Sequence, residues 1–300
     1  MKDFTIAIYC FLDDLLIKIN PGTLDNRRKL TDSQVITTVI LAAKYFYGNQ
    51  ASACSYMQSH YGFTMPNKSN FNRILHKLAD LIAELFLQLG LIFKHLNLSN
   101  SYIIDSFPVP VCKNIRIRGA KLIRGETYRG YNASKREYFY GFKVHVITTA
   151  EGIPVQYLVT SGSIHDNTAF QGMDINLPAN SDLYGDAAYI NQDMKQLLLD
   201  FEGVTLKAAT KKNTLIRNTW AEELENRYYR KRIENTFADI TAKFPRTIHA
   251  VTAKGFLLKI LCFIIMLILD KQFWDATQLT LITKSSAECH IFSTHTTNSQ

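Results

Sequence analysis

The chain has 300 residues, 47% of them apolar, which is ample for one large domain, or for a catalytic domain of ~150–200 residues beside a smaller one. A net charge of +8 favours a polyanionic partner, nucleic acid above all, against the plainer reading of an ordinary basic soluble protein. Cys10, Cys54, Cys112, Cys262 and Cys289 are scattered and hold no C-x-x-C pair, which argues against a disulfide framework and a thiolate zinc site and fits a reducing cytosol.

The first residues carry a short apolar run without a small-residue cleavage site, so no signal peptide is read there. Apolar residues at helical spacing predict a helix over 4–19, stopped by Asn20-Pro21-Gly22. Thr31-Asp32-Ser33 can cap a second helix over 34–47, which Gly48-Asn49 ends. A third runs over 69–90 with a break near Lys77. Residues 1–98 thus read as a helical domain, either a DNA-binding module that serves DNA ends and assembly or a cap over the next domain. Asn70, Asn72 and Arg73 are the candidates for base contact.

After Ser99 the period changes to two. Tyr102-Ile103-Ile104-Asp105 reads as a short strand ending in an acid. Residues 141–149 and 153–160 alternate around Glu151-Gly152 and predict a hairpin. Leu183-Tyr184-Gly185-Asp186 is another short strand ending in an acid. A helix over 191–201, a strand over 204–207 and a long helix over 221–244 come next. The order is mixed α/β. The apolar run 256–269 carries Lys259 and falls short of the ~20 residues of a membrane span, so it reads as a buried core helix. A polar tail over 276–300 closes the chain.

Three acids stand at informative places. Asp105 and Asp186 leave the core at the sheet rim, where α/β sheets bind ligands. Glu234 lies on the long helix one turn after Arg230, beside a stripe of Ile233, Phe237, Ile240 and Phe244 that can pack on the sheet. Phosphodiester cleavage develops charge on two oxygens, and two divalent ions held by a few carboxylates stabilise both. Taken singly, a strand-end Asp is more often a turn residue, and a helix Glu more often solvated or paired with its Arg.

Together these residues resemble the DDE transposases of bacterial insertion sequences, over about 99–269. Tyr102-Ile103-Ile104-Asp105-Ser106 is similar to the strand with the first acid, and Tyr140-Gly141-Phe142-Lys143-Val144-His145 to the strand after it. Ser163-Ile164-His165-Asp166 is similar to the loop after the hairpin. Leu183-Tyr184-Gly185-Asp186-Ala187-Ala188-Tyr189 is similar to the setting of the second acid, and Arg230-Lys231-Arg232-Ile233-Glu234-Asn235-Thr236-Phe237 to the third-acid helix. The insertion-sequence-982 group is the nearest in pattern, with its helical N-terminal region and the later Gly255-Phe256. Where the wider group has a tyrosine and a lysine on the third-acid helix, this chain has Arg227 and Thr241, with Tyr228, Tyr229 and Lys243 as the nearest substitutes.

The resemblance implies an RNase H-like mixed sheet flanked by helices over 99–275. It implies two Mg²⁺ ions, replaceable by Mn²⁺, on Asp105, Asp186 and Glu234. It implies cleavage at element ends and strand transfer into target DNA without a covalent protein–DNA link. Its expected setting is a bacterial cytoplasm, on double-stranded DNA, as a homodimer or higher assembly, with no membrane. Between 111 and 147 nine Lys/Arg stand against two Glu, interleaved with tyrosines, a pattern that suits phosphates and unstacked bases. Lys113, Arg116, Arg118, Lys121, Arg124, Arg129 and Lys143 are the DNA-binding candidates there, with Arg230, Arg232 and Lys243 on the third-acid helix and Lys211, Lys212 and Arg217 before it. Trp220 can stack on a flipped base, although core or hinge is its plainer reading. His145 reads as a satisfied, half-buried histidine, and His165 with Asp166 as a pair that orients a nearby acid. The competing readings are an RNase H-like nuclease without strand transfer, a DNA-binding relic of a transposase, and a helical regulator whose acids are structural.

Overall fold

The computed structural model describes residues 2–20, 29–112, 114–132, 135–189, 191–208 and 219–274. Lys113, Lys211, Lys212, Arg217 and the 276–300 tail lie outside them.

The first region is helical: α1 (Lys2–Ile19), α2 (Asp32–Tyr45), α3 (Gln50–Tyr61), α4 (Lys68–Lys77) and α5 (Ala79–Leu96). Thr31 caps α2 reciprocally. Its hydroxyl accepts from the Gln34 N–H at 3.2 Å, and the Gln34 side chain accepts from the Thr31 N–H at 3.0 Å. Helix α3 escapes the periodicity reading because it buries only Gln50, Ala53 and Met57. It starts because the Asn49 side chain accepts from the N–H groups of Ala51 and Ser52. The break expected near Lys77 falls at Leu78, between α4 and α5.

The sheet comprises β1 (Ser101–Cys112), β2 (Arg129–Asn132), β3 (Glu137–Thr149), β4 (Pro154–Ser161), β5 (Asp182–Gly185) and β6 (Thr205–Ala208). Helix α6 (Asp166–Gln171) comes after the hairpin, α7 (Gln192–Leu197) after β5, and α8 (Trp220–Lys243) and α9 (Ala253–Trp274) end the described fold. The strand order is β2-β3-β1-β5-β6, with β4 also on β3. The β1–β3 pairing is antiparallel, while β1–β5 and β5–β6 are parallel. This is a six-stranded mixed sheet flanked by helices, the RNase H-like arrangement.

Two features differ from the sequence reading. Asp105 does not end its strand: β1 runs on to Cys112 on β3, and only the parallel pairing with β5 stops, at Ile104↔Gly185. Pro108 and Pro110 disguise this continuation. The Ser106 N–H is taken by its neighbour Asp105 at 2.7 Å and so faces the open edge. Pro108 and Pro110, two and four residues on, share that side, where no ladder donor is needed. The second difference is β2, which lies inside the basic stretch where the sequence reading placed no strand. Gly130 there serves close packing: a Cβ would fall 2.3 Å from the Gly162 carbonyl oxygen and 2.4 Å from the Phe139 ring.

Side chains alternate across the sheet. Asp105 and Phe107 share the face on which α8 lies; Phe107 meets Phe237 of α8 at 6.5 Å and Phe244 at 4.9 Å. Ser106 points to the other face, towards α6. The run 256–269 is the middle of α9, almost wholly buried as expected, and Phe256 packs on Phe142 of β3. A single hydrophobic cluster includes residues of α1, α2, α5, the sheet, α8 and α9. Asp270 of α9 adds an ionic tie, receiving Lys44 of α2 on one oxygen and Lys243 of α8 on the other at 2.9 Å. Among the described residues no helix is long and apolar enough to cross a membrane.

Candidate active site

The sheet makes a notch where β5 ends and β1 continues. Asp105 stands on β1 at the first position past the parallel pairing, and Asp186 comes directly after Gly185. Burial pushes the Asp105 carboxyl up to about 7; the negative charges of Asp186 and Asp166 push the same way, against the Ser106 N–H and the Lys143 ammonium. Asp186 sits more openly at the rim, yet the protein mass around it also raises its carboxyl. Asp166 adds to that rise, while the Ala188 N–H, which donates to Asp186 at 2.7 Å, and the Arg230 charge oppose it. Two mutually repelling carboxylates, each above its ordinary range, form a site that a hard divalent cation would relieve. Oxygen donors fit Mg²⁺ or Mn²⁺.

The third acid stands apart. Glu234 is 64% exposed and accepts from Arg230 Nε at 3.2 Å. Among the described residues no three His, Cys, Asp or Glu side chains stand together as a metal-ligand set. Arg230 lies between the two halves of the site, paired with Glu234 while its charge also acts on Asp186. A pocket of about 120 Å³ opens here, with Asp186, Lys207, Asn226, Tyr229, Arg230 and Ile233 in its wall.

Helix α8 is fastened to the sheet beside this pocket. Tyr229 stacks on Tyr184 of β5 with centroids 3.5 Å apart and 11° between planes, and donates to the Ser101 hydroxyl at 3.1 Å. The Tyr184 hydroxyl donates to Glu225 at 2.5 Å, and Lys207 donates to Glu225 at 3.1 Å and Asp182 at 2.9 Å. Ile233, Phe237 and Ile240 are buried, as the stripe on α8 predicts, with Phe244 partly so. Tyr229 is therefore a packing residue, whereas Tyr228 is exposed and receives an Arg232 N–H at 2.7 Å.

Behind the notch lies a polar cluster. Asp166, at the start of α6, accepts from the Ser106 hydroxyl at 2.7 Å and from Lys143 at 3.3 Å. Lys143 also donates to the Ile164 carbonyl at 3.1 Å. His145 is 1% exposed, more buried than its place on an alternating strand suggests. Its Nε2 is 3.1 Å from the Thr160 hydroxyl, but Nδ1 lacks a hydrogen bond, 3.7 Å from Asp166. Burial lowers the His145 pKa to about 4, which keeps the ring neutral and argues against a charged role. His165 points outward, and only Asp166 of that pair enters the site.

The basic candidates divide. Arg116, Arg118, Lys121 and Arg124 are exposed on the loop between β1 and β2, and Arg129 is exposed while paired with Glu126 at 2.8 Å. Lys143 is largely enclosed, with its ammonium paired with Asp166 at 3.3 Å. Arg232 donates twice to the Ala150 carbonyl, at 3.1 and 2.6 Å, and Lys243 is bound to Asp270; both are anchors of α8. Trp220 is 79% exposed at the start of α8, which overturns its core reading.

Sequence reasoning missed Ser106, the anchoring role of Lys143 and the Tyr184–Glu225–Lys207 group. Their partners are 60, 23 and 41 positions away in sequence, so no local pattern reveals them. No curated protein and no solved structure matches the chain. Residues 97–250, half of the chain and the span that holds Asp105, Asp186 and Glu234, match the family described as "Transposase DDE domain". With the mixed sheet and the acidic notch in place, the chain belongs to the transposase DDE domain family.

Proposed function

We propose that this chain is the transposase of a bacterial insertion sequence, of the insertion-sequence-982-like kind. It nicks the element's ends to free a 3′-hydroxyl and joins that hydroxyl to target DNA. The observation that carries the reading is the pair Asp105 and Asp186 at the notch where β1 outruns β5, inside the family span. Asp105, Asp186 and Glu234 would hold two Mg²⁺ ions, or Mn²⁺ in their place, which when bound stabilise charge on the attacking and leaving oxygens.

The chain's own residues do the rest. The stacked Tyr184–Tyr229 pair keeps α8, the helix that carries Glu234, against β5 beside the notch. Arg230 holds Glu234 outward, and a DNA phosphate that takes its guanidinium frees the carboxylate to turn inward. Arg116, Arg118, Lys121, Arg124 and Arg129 seat the DNA backbone, with Trp220 free to stack on an unpaired base. Asp166 orients the notch from behind through Ser106. The working species is a dimer or higher assembly on DNA in the cytoplasm.

The test is cleavage of a labelled duplex carrying the element's own ends, with Mg²⁺, Mn²⁺ or EDTA, by the parent and Glu234→Gln. Metal-dependent nicking that the variant loses supports the reading, and strand transfer into a second duplex then separates it from a plain nuclease. Ends that are bound but never cut with either metal would sink it in favour of a DNA-binding relic, the reading that the outward Glu234 favours.

A further inference from the structure

We propose that α4 and the start of α9 form one basic face that binds double-stranded DNA through its phosphates, in addition to the basic loop between β1 and β2. This rests on the proposed reading of DNA as the partner and adds a surface to it.

Two stretches of the chain, 33–79 and 240–269, contain no Asp or Glu, although the whole chain has 26. They hold eight Lys and Arg. Lys44 and Lys243 end on Asp270. The other six are Lys68, Arg73, Lys77, Arg246, Lys254 and Lys259, and among the described residues none of them makes an ion pair. All but Lys259 are exposed.

The fold brings the two stretches together. Phe71 and Leu75 bury one side of α4. His76 lies against the first turn of α9: a Cβ at Gly255 would fall 3.2 Å from its Nε2. Lys77 and Lys254 flank that contact in sequence. Lys68 is about two turns back from His76 on α4, and Lys259 one turn on from Gly255 on α9, each on the side of its helix that makes the contact. Lys259 donates to the His249 carbonyl, which ties the segment that carries Arg246 to the same place. Burial lowers the Lys259 ammonium, and the Lys68 charge lowers it further, as befits neighbouring cations with no acid between them.

Cations gathered without acids repel one another, and a polyanion relieves them. From Lys68 to Lys77 the helix rises about 14 Å, a distance along which duplex DNA carries about eight phosphates. The only Phe, Tyr or Trp residues in 68–77 and 246–259 are Phe71 and Phe256, both buried. This face therefore offers no ring on which an unpaired base could stack, whereas β2 and β3 expose Tyr131 and Tyr138. Contacts with the backbone of a duplex are what it can make.

The experiment titrates full-length chains in EDTA against a fluorescein-labelled mixed-sequence duplex and the matching single strand. Anisotropy is read between about 50 and 200 mM salt. The variants are Lys68→Gln with Lys254→Gln, and Arg73→Gln with Lys77→Gln. A control pair with the same loss of charge is Lys18→Gln with Lys195→Gln, two exposed lysines elsewhere. Each of the first two pairs should weaken duplex binding on the order of tenfold and reduce the salt slope by about 2, with thermal unfolding unchanged. The control pair should keep the parent's slope. Equal effects of all three pairs overturn the proposal, and so does a loss as large for the single strand, or one that comes with a melting temperature several degrees lower. If the parent binds the duplex and neither test pair weakens it, only the basic face falls. If the parent binds no duplex at all, the DNA reading falls with it.

Discussion

The sheet side of the candidate site and its helix side carry the same chemical group in opposite conditions. Asp105 and Asp186 are placed by strand register, crowded by protein and by Asp166, and raised above the ordinary carboxylate range. Glu234 is placed by a helix that is itself well anchored, but its side chain is in solvent and held by one exposed ion pair. The crowded acids define the position of the site at a cost to the fold. The exposed acid, held only by a solvent-facing ion pair, costs the fold almost nothing. Under the proposed function, a site that assembles on DNA would use both kinds of residue.

The comparison breaks most visibly if the two sides respond alike in every assay. Asp186→Asn and Glu234→Gln should each lower end nicking on the order of 10³-fold, measured with labelled ends at saturating Mn²⁺. Their effects on the fold should differ. In EDTA at pH 8, Asp186→Asn should raise the melting temperature, because it removes a carboxylate that repels its neighbours, while Glu234→Gln should leave it unchanged.

The cations offer the same contrast. Lys143→Met would strand Asp166 without its ammonium partner, at a cost of about 3–5 kcal/mol, visible as a large fall in denaturant midpoint. Arg124→Ala should change stability by less than about 0.5 kcal/mol, yet weaken DNA binding and reduce its salt slope by about 1. Equal stability for the two variants would mean that the division of the basic residues into anchors and DNA contacts is wrong.

A smaller effect separates the acids by pH. The Asp105 carboxyl sits near 7 in the fold, against about 4 in an unfolded chain. The fold therefore holds that proton more tightly, and the stability it contributes is complete below about pH 4 and is lost as pH rises through 7. Asp270 runs the other way. Burial alone would raise it, but Lys44 and Lys243 outweigh burial and hold it low, so its contribution is present at neutral pH and lost in acid. In EDTA, Asp105→Asn should gain on the order of 4 kcal/mol over the parent at pH 8 and almost nothing at pH 4. A gain that does not vary with pH would show that Asp105 is ionised at no extra cost.

Much of this was legible from local pattern. The hairpin of β3 and β4 is encoded by alternation around Glu151-Gly152, α8 by its apolar stripe, and α9 by a run too short for a membrane. The placement of Asp105 and Asp186 was legible because each comes after a run of apolar residues. The hidden features depend on pairing across long separations. The extension of β1 is visible only once β3 lies beside it, since Pro108 and Pro110 read locally as strand breakers. The roles of Lys143, Arg232 and Lys243 turn on Asp166, Ala150 and Asp270, which no sequence window joins to them. A basic residue in sequence carries no sign of whether it ends in solvent or on a buried carboxylate.

The finest test concerns Arg230 itself. Its pair with Glu234 is 70% and 64% exposed, and such pairs contribute between zero and about 1 kcal/mol, less in salt. Arg230→Ala should therefore leave melting almost unmoved. If the ion pair is what holds Glu234 outward, the free protein should then bind Mn²⁺ slightly better, because the carboxylate is released and a positive charge near Asp186 is gone. On DNA the same variant should lose affinity, because a phosphate contact goes with the guanidinium. The two shifts have opposite signs. Weaker Mn²⁺ binding without DNA would mean that Arg230 organises the acids in the resting protein, and the division between a fixed sheet side and a movable helix side would have to be given up.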